Sequence, residues 1–312
     1  MSATWLALLV TLAAIPPVHA IACVAIGPWR HTSGPRERAA THADTVFLRS
    51  IAPAALAFCA AVFVVLPAFV LFEASGHAER PGVLMALSAA VGAAYVVTAF
   101  VRLLSALYLS RLCTSAWMRN ACTLPITDWG LPAFAIDVNY PVVAVAGVIR
   151  PRLFIDRRVL ECCSAEELQA IGAHERAHVD NYDNARRLLM SACVGSRSLS
   201  AQQWRAAAEV AADERAASSP EHATVLAGAL IKIARLATMP APRLIQFSTI
   251  HDGGSLETRV HRLLSMNATP ARNGRREPLI AGIVVLSITI AAQGTPLLAA
   301  VHSLIELFVR AQ

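Results

Sequence analysis

Charge is what this chain has least of. Lys, Arg, Asp and Glu make up only 15% of the 312 residues, against 56% hydrophobic ones, a balance skewed far towards apolar for an ordinary soluble globular protein. Some stretches have no charge at all. Ser2 to Trp29, the twenty-two residues from Ile51 to Phe72 and the twenty from Gly82 to Val101 contain no Lys, Arg, Asp or Glu. Each is long enough, as a helix, to cross a hydrocarbon layer of about 30 Å. A fourth run, Leu279 to Val301, is interrupted by Gln293-Gly294-Thr295-Pro296; it reads either as one kinked span or as a short span followed by an amphipathic helix. The first run lacks the basic start of a cleaved export signal, so it is expected to stay as a span.

Two other absences narrow the function. The net charge is +6, yet the arginines are dispersed or lie beside the apolar runs, with no basic cluster interleaved with aromatics. Direct nucleic-acid binding is therefore not expected, and attraction to anionic lipid headgroups is the simpler account. The seven cysteines are an odd set, some within the apolar runs and the rest in the large region between the third and fourth, where reduced thiols are expected; the adjacent Cys162 and Cys163 lack metal-ligand spacing and are given no role.

The arginines also orient the chain. Arg30, Arg36, Arg38 and Arg49 follow the first run, Arg111 and Arg119 follow the third, and Arg272, Arg275 and Arg276 precede the fourth, whereas the segment between the second and third holds only Arg80 against Glu73 and Glu79. By the positive-inside rule the amino terminus lies outside and the large region before the fourth run faces the cytoplasm. The expected organisation is a membrane region with three transmembrane helices over 1–109, a cytoplasmic domain over 110–277, and a fourth transmembrane helix with a short tail over 278–312, in the cell (inner) membrane.

What is present is a pentad, His174-Glu175-Arg176-Ala177-His178. On a helix, residues four apart sit about 40° apart around the axis and about 6 Å along it, so both imidazoles can reach one metal ion. Glu175 falls beside them, placed to take a proton from a metal-activated water without itself ligating, as in zinc hydrolases with this pattern. Ser164 with Glu167 three residues on is a capping-box signature that starts a helix running to about Tyr182, where the DNYDN segment ends it. On a wheel Leu168, Ile171, Gly172 and Val179 form the apolar arc, with the two His at its edge and Glu175 inside it. A carboxylate on a buried face is expensive unless it has chemistry to do.

A catalytic zinc keeps three protein ligands and one open position. The best third candidate is Glu209, in an Ala-rich helical segment from Ser200 to Ala217 where Glu209 and Asp213 share a face with Gln202, Ala206 and Ala216. Small side chains would let this helix approach the first closely. Asp213 would then bond the second nitrogen of a ligating His and fix its tautomer. Asp180, Asp183 and Glu214 are the other acids to consider, the first two disfavoured as too near His178 in sequence to face it. Ala133 to Val138, Val142 to Ile149 and Leu153 to Asp156 are short apolar runs punctuated by Pro and Gly, which read as two or three strands. Such a sheet beside the site could offer an edge to an extended substrate backbone. For stabilising the tetrahedral oxyanion, His222, His251, His261 and Tyr182 are candidates without decisive spacing.

The block Pro141 to Asn184, PVVAVAGVIRPRLFIDRRVLECCSAEELQAIGAHERAHVDNYDN, resembles the integral-membrane zinc peptidases of the BlaR/MecR type, the antirepressor and β-lactam-sensor family. Trp204, Glu209 to Asp213 (EVAAD) and Glu257 to Leu264 (ETRVHRLL) are similar to segments found downstream in that family. The resemblance implies a fold that is mainly α with a small β-sheet (α+β), with transmembrane helices flanking a gluzincin-like metallopeptidase domain. It implies one zinc ion on His174, His178 and Glu209, Glu175 as general base and Asp213 as support. It further implies peptide-bond hydrolysis in signal transduction, the substrate being a protein or peptide such as a cytoplasmic transcriptional repressor, or the chain itself. About ten residues follow the fourth run, too few for the extracellular penicillin-binding sensor of the family's best-known members, so the stimulus is left open, as is the oligomeric state. Two other readings remain: a quality-control or C-a-a-X-type zinc protease of the HtpX kind, which carries the same pentad, and a non-catalytic membrane signalling scaffold.

Overall fold

The computed structural model describes residues 3–26, 39–72, 82–125, 129–193, 198–236, 256–265, 296 and 298–303. Helices α1 (Ala3–Ile26), α2 (Ala39–Ala60), α3 (Leu66–Phe72) and α4 (Val83–Met118) carry the uncharged runs, with a π-helical turn at Ala61–Val65 joining α2 to α3. Three helical stretches, Thr4–Ile26, Ala39–Phe72 and Val83–Met118, are long and apolar enough to cross a membrane, as the charge-free runs predict. The fourth run, apart from 296 and 298–301, lies outside the described residues.

The chain divides into two compact units, Met1–Thr32 with Ile51–Val101 and Gly274–Gln312, and Ser33–Ser50 with Arg102–Asn273. In the first, Leu6, Val10 and Ala13 of α1 pack with Val65, Phe69, Met85 and Ala89. Approach here is close enough to need a glycine: a Cβ on Gly92 would lie 2.0 Å from the Leu12 carbonyl oxygen. Small residues at helix contacts are how apolar helices pack when lipid competes for the larger ones. Ser88 Oγ donates to the Ala13 carbonyl at 2.8 Å.

The second unit is built on a four-stranded sheet of β1 (Cys122–Thr123), β2 (Ala133–Ile136), β3 (Val143–Ala146) and β4 (Arg152–Asp156), in the order β1-β2-β4-β3. β2 and β4 run parallel and the outer pairs antiparallel. Val143, Val145, Leu153 and Ile155 face one core together with residues of the later helices, while Ile136, Val142, Ala144 and Phe154 face Trp117 on the other side. Coverage of both faces explains why VVAVA and LFI read as unbroken apolar runs rather than alternating ones. β1 was not anticipated, since two residues carry no period.

Helices α5 (Arg157–Cys162), α6 (Ala165–Asp180), α7 (Asp183–Ala192), α8 (Ser198–Ala216), α9 (Pro220–Leu236) and α10 (Leu256–Leu264) follow. The capping box at Ser164 and Glu167 is formed in full. Ile171 on the apolar arc of α6 is fully buried, and Gly172 is needed there because a Cβ would come within 2.3 Å of the Trp129 ring. α9 starts with Pro at its first position and buries Ala223, Leu226, Ala227, Leu230 and Ile233 against this core. The fold is therefore mainly α with a small sheet, as expected.

Candidate metal centre

α6 and α8 bring the three nominated side chains to one point. His174, His178 and Glu209 each offer a ligand atom, all within 4.8 Å of one another. The two Nε2 atoms are 3.1 Å apart, His174 Nε2 is 3.5 Å from Glu209 Oε2 and His178 Nε2 is 3.6 Å from Oε1. The face of α8 that allows this approach is made by Ala207, Ala208, Ala211 and Ala212, all buried. Gln202, expected on that face, is exposed, because the packed face follows Trp204 and Ala208 instead.

Each imidazole is backed by a carboxylate. His174 Nδ1 lies 3.0 Å from Asp213 Oδ1, as the four-residue spacing of Glu209 and Asp213 predicts, though off the line of a well-directed hydrogen bond. His178 Nδ1 lies 2.7 Å from Asp183 Oδ2. Asp183, disfavoured by sequence proximity as a third ligand, is not among the three converging residues; it reaches the far side of the His178 ring because the left-handed backbone of Tyr182 (φ 56°, ψ 36°) reverses the chain between α6 and α7. An ionised carboxylate only accepts, so both Nδ1 atoms are the protonated ones. Both Nε2 lone pairs then point at the same place.

The other nominated acids are elsewhere: Asp180 pairs with Arg176 at 2.9 Å, and Glu214 takes Arg262 and the Ala39 N–H. Of the oxyanion candidates, His222 pairs with Ser218 at 2.7 Å, His261 is exposed on α10, Tyr182 is exposed, and His251 lies outside the described residues. Two guanidinium groups that the sequence did not single out do reach the centre. Arg259 of α10 is buried, donates to both oxygens of Asp213 at 2.8 and 2.7 Å, and sits 3.1 Å from Glu209 Oε2. Arg187 of α7 comes within 3.8 Å of Glu209 Oε1 and lies against the Trp204 ring.

Glu175 is buried beside the triad, and its Oε2 accepts the Val145 N–H of β3 at 3.2 Å. The neighbouring Asn184 donates to the Val145 and Gly147 carbonyls, both at 3.0 Å. Since the Val142 carbonyl bonds Asp156 across the β3–β4 ladder, Val145, three residues on in an alternating strand, turns both its backbone groups away from β4. Those outward groups are already taken by Glu175 and Asn184, so a substrate strand does not pair at Val145. The contact instead clamps one oxygen of Glu175 to the sheet.

Electrostatics follow from this closed set. Burial pushes Glu175 above the usual carboxylate range, with His178 and His174 opposing. Burial would also raise Glu209 and Asp213, but the imidazoles and Arg259 around them hold both below it. For His174, burial would lower the pKa, and Asp213 and Glu209 outweigh it to give a value of about 9. In effect the cluster asks for positive charge among its nitrogens and carboxylates.

A zinc ion answers that demand, and the residues fit one. Tetrahedral coordination with ligand distances near 2.1 Å separates ligand atoms by about 3.4 Å, matching the 3.1 to 3.6 Å contacts here. Glu209, buried with one oxygen 3.5 Å from His174 Nε2 and the other 3.6 Å from His178 Nε2, is the kind of enclosed carboxylate that a cation would satisfy. Residues 142–248, about a third of the chain, match the model of peptidase family M48, which is a metallopeptidase family. The matched stretch runs from β3 through the pentad and α8. No curated protein matches this chain.

Proposed function

We propose that this chain is a membrane-anchored zinc endopeptidase whose catalytic unit faces the cytoplasm and that it acts in signal transduction, on a cytoplasmic repressor or on itself. The observation that carries the peptidase reading is the pair of carboxylate-backed imidazoles with both Nε2 lone pairs aimed at one point and Glu209 closing the third side. An ordinary surface helix with two histidines has no reason to bury this set. The M48 match supports the same chemistry.

His174, His178 and Glu209 would hold the zinc, which when bound supplies the Lewis acidity that activates water and polarises a carbonyl. Glu175 accepts the water proton and returns it to the leaving amine. Its raised pKa suits a group that must both take and give a proton. The Val145 N–H holds one of its oxygens and leaves the other for that transfer. Asp183 and Asp213 keep the two rings in the tautomer that presents Nε2.

Full-length protein in detergent is expected to contain one zinc per chain, and Glu175→Gln to keep that zinc while losing about 10²- to 10⁴-fold in peptide hydrolysis. Parental activity in the Gln variant would discard this mechanism, and absence of zinc would discard the site. The signalling reading rests on the resemblance of residues 141–264 to the antirepressor family. Co-expression with a small winged-helix repressor encoded beside the gene tests it: one defined cut supports signalling, whereas degradation of misfolded membrane proteins with the repressor left intact points to quality control.

A further inference from the structure

The peptidase mechanism leaves Arg259 unused, although it is the one buried arginine among the described residues and reaches the centre from a helix outside the M48-matched stretch. Its fork faces two carboxylates. Nε and Nη2 hold Asp213 through both carboxylate oxygens, at 2.8 and 2.7 Å, while Nη1 lies 3.1 Å from Glu209 Oε2. Asp213 in turn faces His174 Nδ1. One planar guanidinium thus touches the third candidate ligand and the partner of the first.

We propose that Arg259 is a positioning residue that makes Glu209 a one-oxygen ligand. This rests on the zinc-site reading above. A carboxylate facing a divalent ion can bind through one oxygen or both, and binding through both fills the position that a hydrolytic zinc keeps open. Arg259 Nη1 forms an ion pair with Oε2 at 3.1 Å, without the alignment of a hydrogen bond, whereas the nearest guanidinium contact of Oε1 is Arg187 at 3.8 Å. The two oxygens face the rings alike, Oε2 at 3.5 Å from His174 Nε2 and Oε1 at 3.6 Å from His178 Nε2, so the guanidinium charge held against Oε2 is what leaves Oε1 as the ligating atom. The same fork keeps Asp213 aligned on His174, so a single side chain sets both denticity and tautomer. Lysine cannot do this, because a point-like ammonium does not span two carboxylates in a fixed plane.

The inference also gives α10 a part in the site. Leu263, buried in the core of this unit, docks the helix, and Arg259, one turn earlier on the same face, completes the centre. The 46 residues separating Arg259 from Asp213 make the metal centre depend on the chain beyond α9.

The test uses full-length protein in detergent carrying Glu175→Gln, which prevents self-cleavage, with zinc affinity measured by chelator competition and coordination read from the visible spectrum of the cobalt-substituted protein. Arg259→Met and Arg259→Lys are each expected to weaken zinc binding by about 10- to 100-fold. Both are expected to weaken the visible cobalt bands as four-coordination gives way to five. Combined with Asp213→Asn, the losses should be less than multiplicative, because the two residues act as one unit. Thermal unfolding of the metal-free proteins shows which variants fold. Should Arg259→Met not fold, Arg259→Lys decides alone. Parental zinc affinity and an unchanged cobalt spectrum in a folded variant would overturn the proposal, as would losses that multiply fully with those of Asp213→Asn. Failure of the Glu175→Gln parent itself to bind zinc would instead overturn the metal site.

Discussion

The two compact units bury opposite kinds of side chain. The first leaves large apolar residues such as Trp5, Phe58, Phe63, Val97 and Phe100 exposed and, among the described residues, buries only apolar ones at its helix contacts. The second encloses an apolar core around its sheet and, among the described residues, holds every buried charged or ionisable polar side chain: Asp156, His174, Glu175, Asp183, Glu209, Asp213 and Arg259. The difference reflects the solvent each is made for. Lipid gives no reason to hide a Phe, whereas water gives every reason to hide a Phe and none to hide a Glu. A unit that hides both has spent stability on the polar ones. All of them except Asp156, which caps α5, converge on one centre.

Truncation should separate the units most sharply. Ile171→Ala, at a fully buried position on α6, is expected to destabilise the second unit by about 2–5 kcal/mol. Phe100→Ala, on an exposed face, should stay within about 0.5 kcal/mol. Thermal unfolding in detergent checks both, and similar shifts would erase the distinction. Adding charge probes the same contrast from the other side. Phe100→Asp should raise the free energy of membrane insertion by about 2.5–3.5 kcal/mol, read as the inserted fraction in a translocation assay, whereas Gln203→Asp on the exposed face of α8 should change little. Normal insertion of Phe100→Asp would show that this face does not meet lipid.

Within the second unit, Asp183→Asn tests whether buried charge serves the metal rather than the fold. An amide can turn its NH₂ toward His178 Nδ1 and favour the wrong tautomer. Zinc affinity should then fall about 10- to 100-fold, equivalent to about 1.4–2.7 kcal/mol, with little change in unfolding of the metal-free protein. A large stability loss with unchanged zinc affinity would assign Asp183 to the fold.

How much of this could be read beforehand depends on how local the cause is. The capping box, the apolar arc and the burial of Glu175 follow from spacing within α6, and the approach of Glu209 and Asp213 follows from their own four-residue interval. Asp183 was legible as a residue but not as a partner, since a Tyr in the left-handed region cannot be anticipated from propensity. Arg259 looked like one more arginine on an amphipathic segment. Its burial is decided by acids 46 residues or more upstream, and no local period encodes that. The occupied edge of β3 was missed for the same reason: Glu175 and Asn184 reach Val145 from 30 and 39 residues away.

The smallest expected effect lies where sequence and structure agree best, at the start of α6. Ser164 Oγ accepts the Glu167 N–H at 3.2 Å, and Glu167 Oε2 accepts the Ser164 N–H at 2.8 Å and Lys232 at 2.7 Å. Ser164→Ala removes only the first bond and should cost about 1 kcal/mol at any pH. Glu167→Gln should behave differently. Burial would raise the Glu167 pKa, but Lys232 and Ser164 outweigh it and hold it below its ordinary 4.5. A carboxylate depressed in the folded state adds stability above its unfolded pKa and loses it as pH falls through the folded one. The gap in unfolding temperature between the parent and Glu167→Gln should therefore be open at pH 7 and close as the pH drops below 4.5, while the Ser164→Ala gap persists. If both gaps close together, the cap and the ion pair are not separable, and the start of the motif helix depends on charge more than its sequence pattern implies.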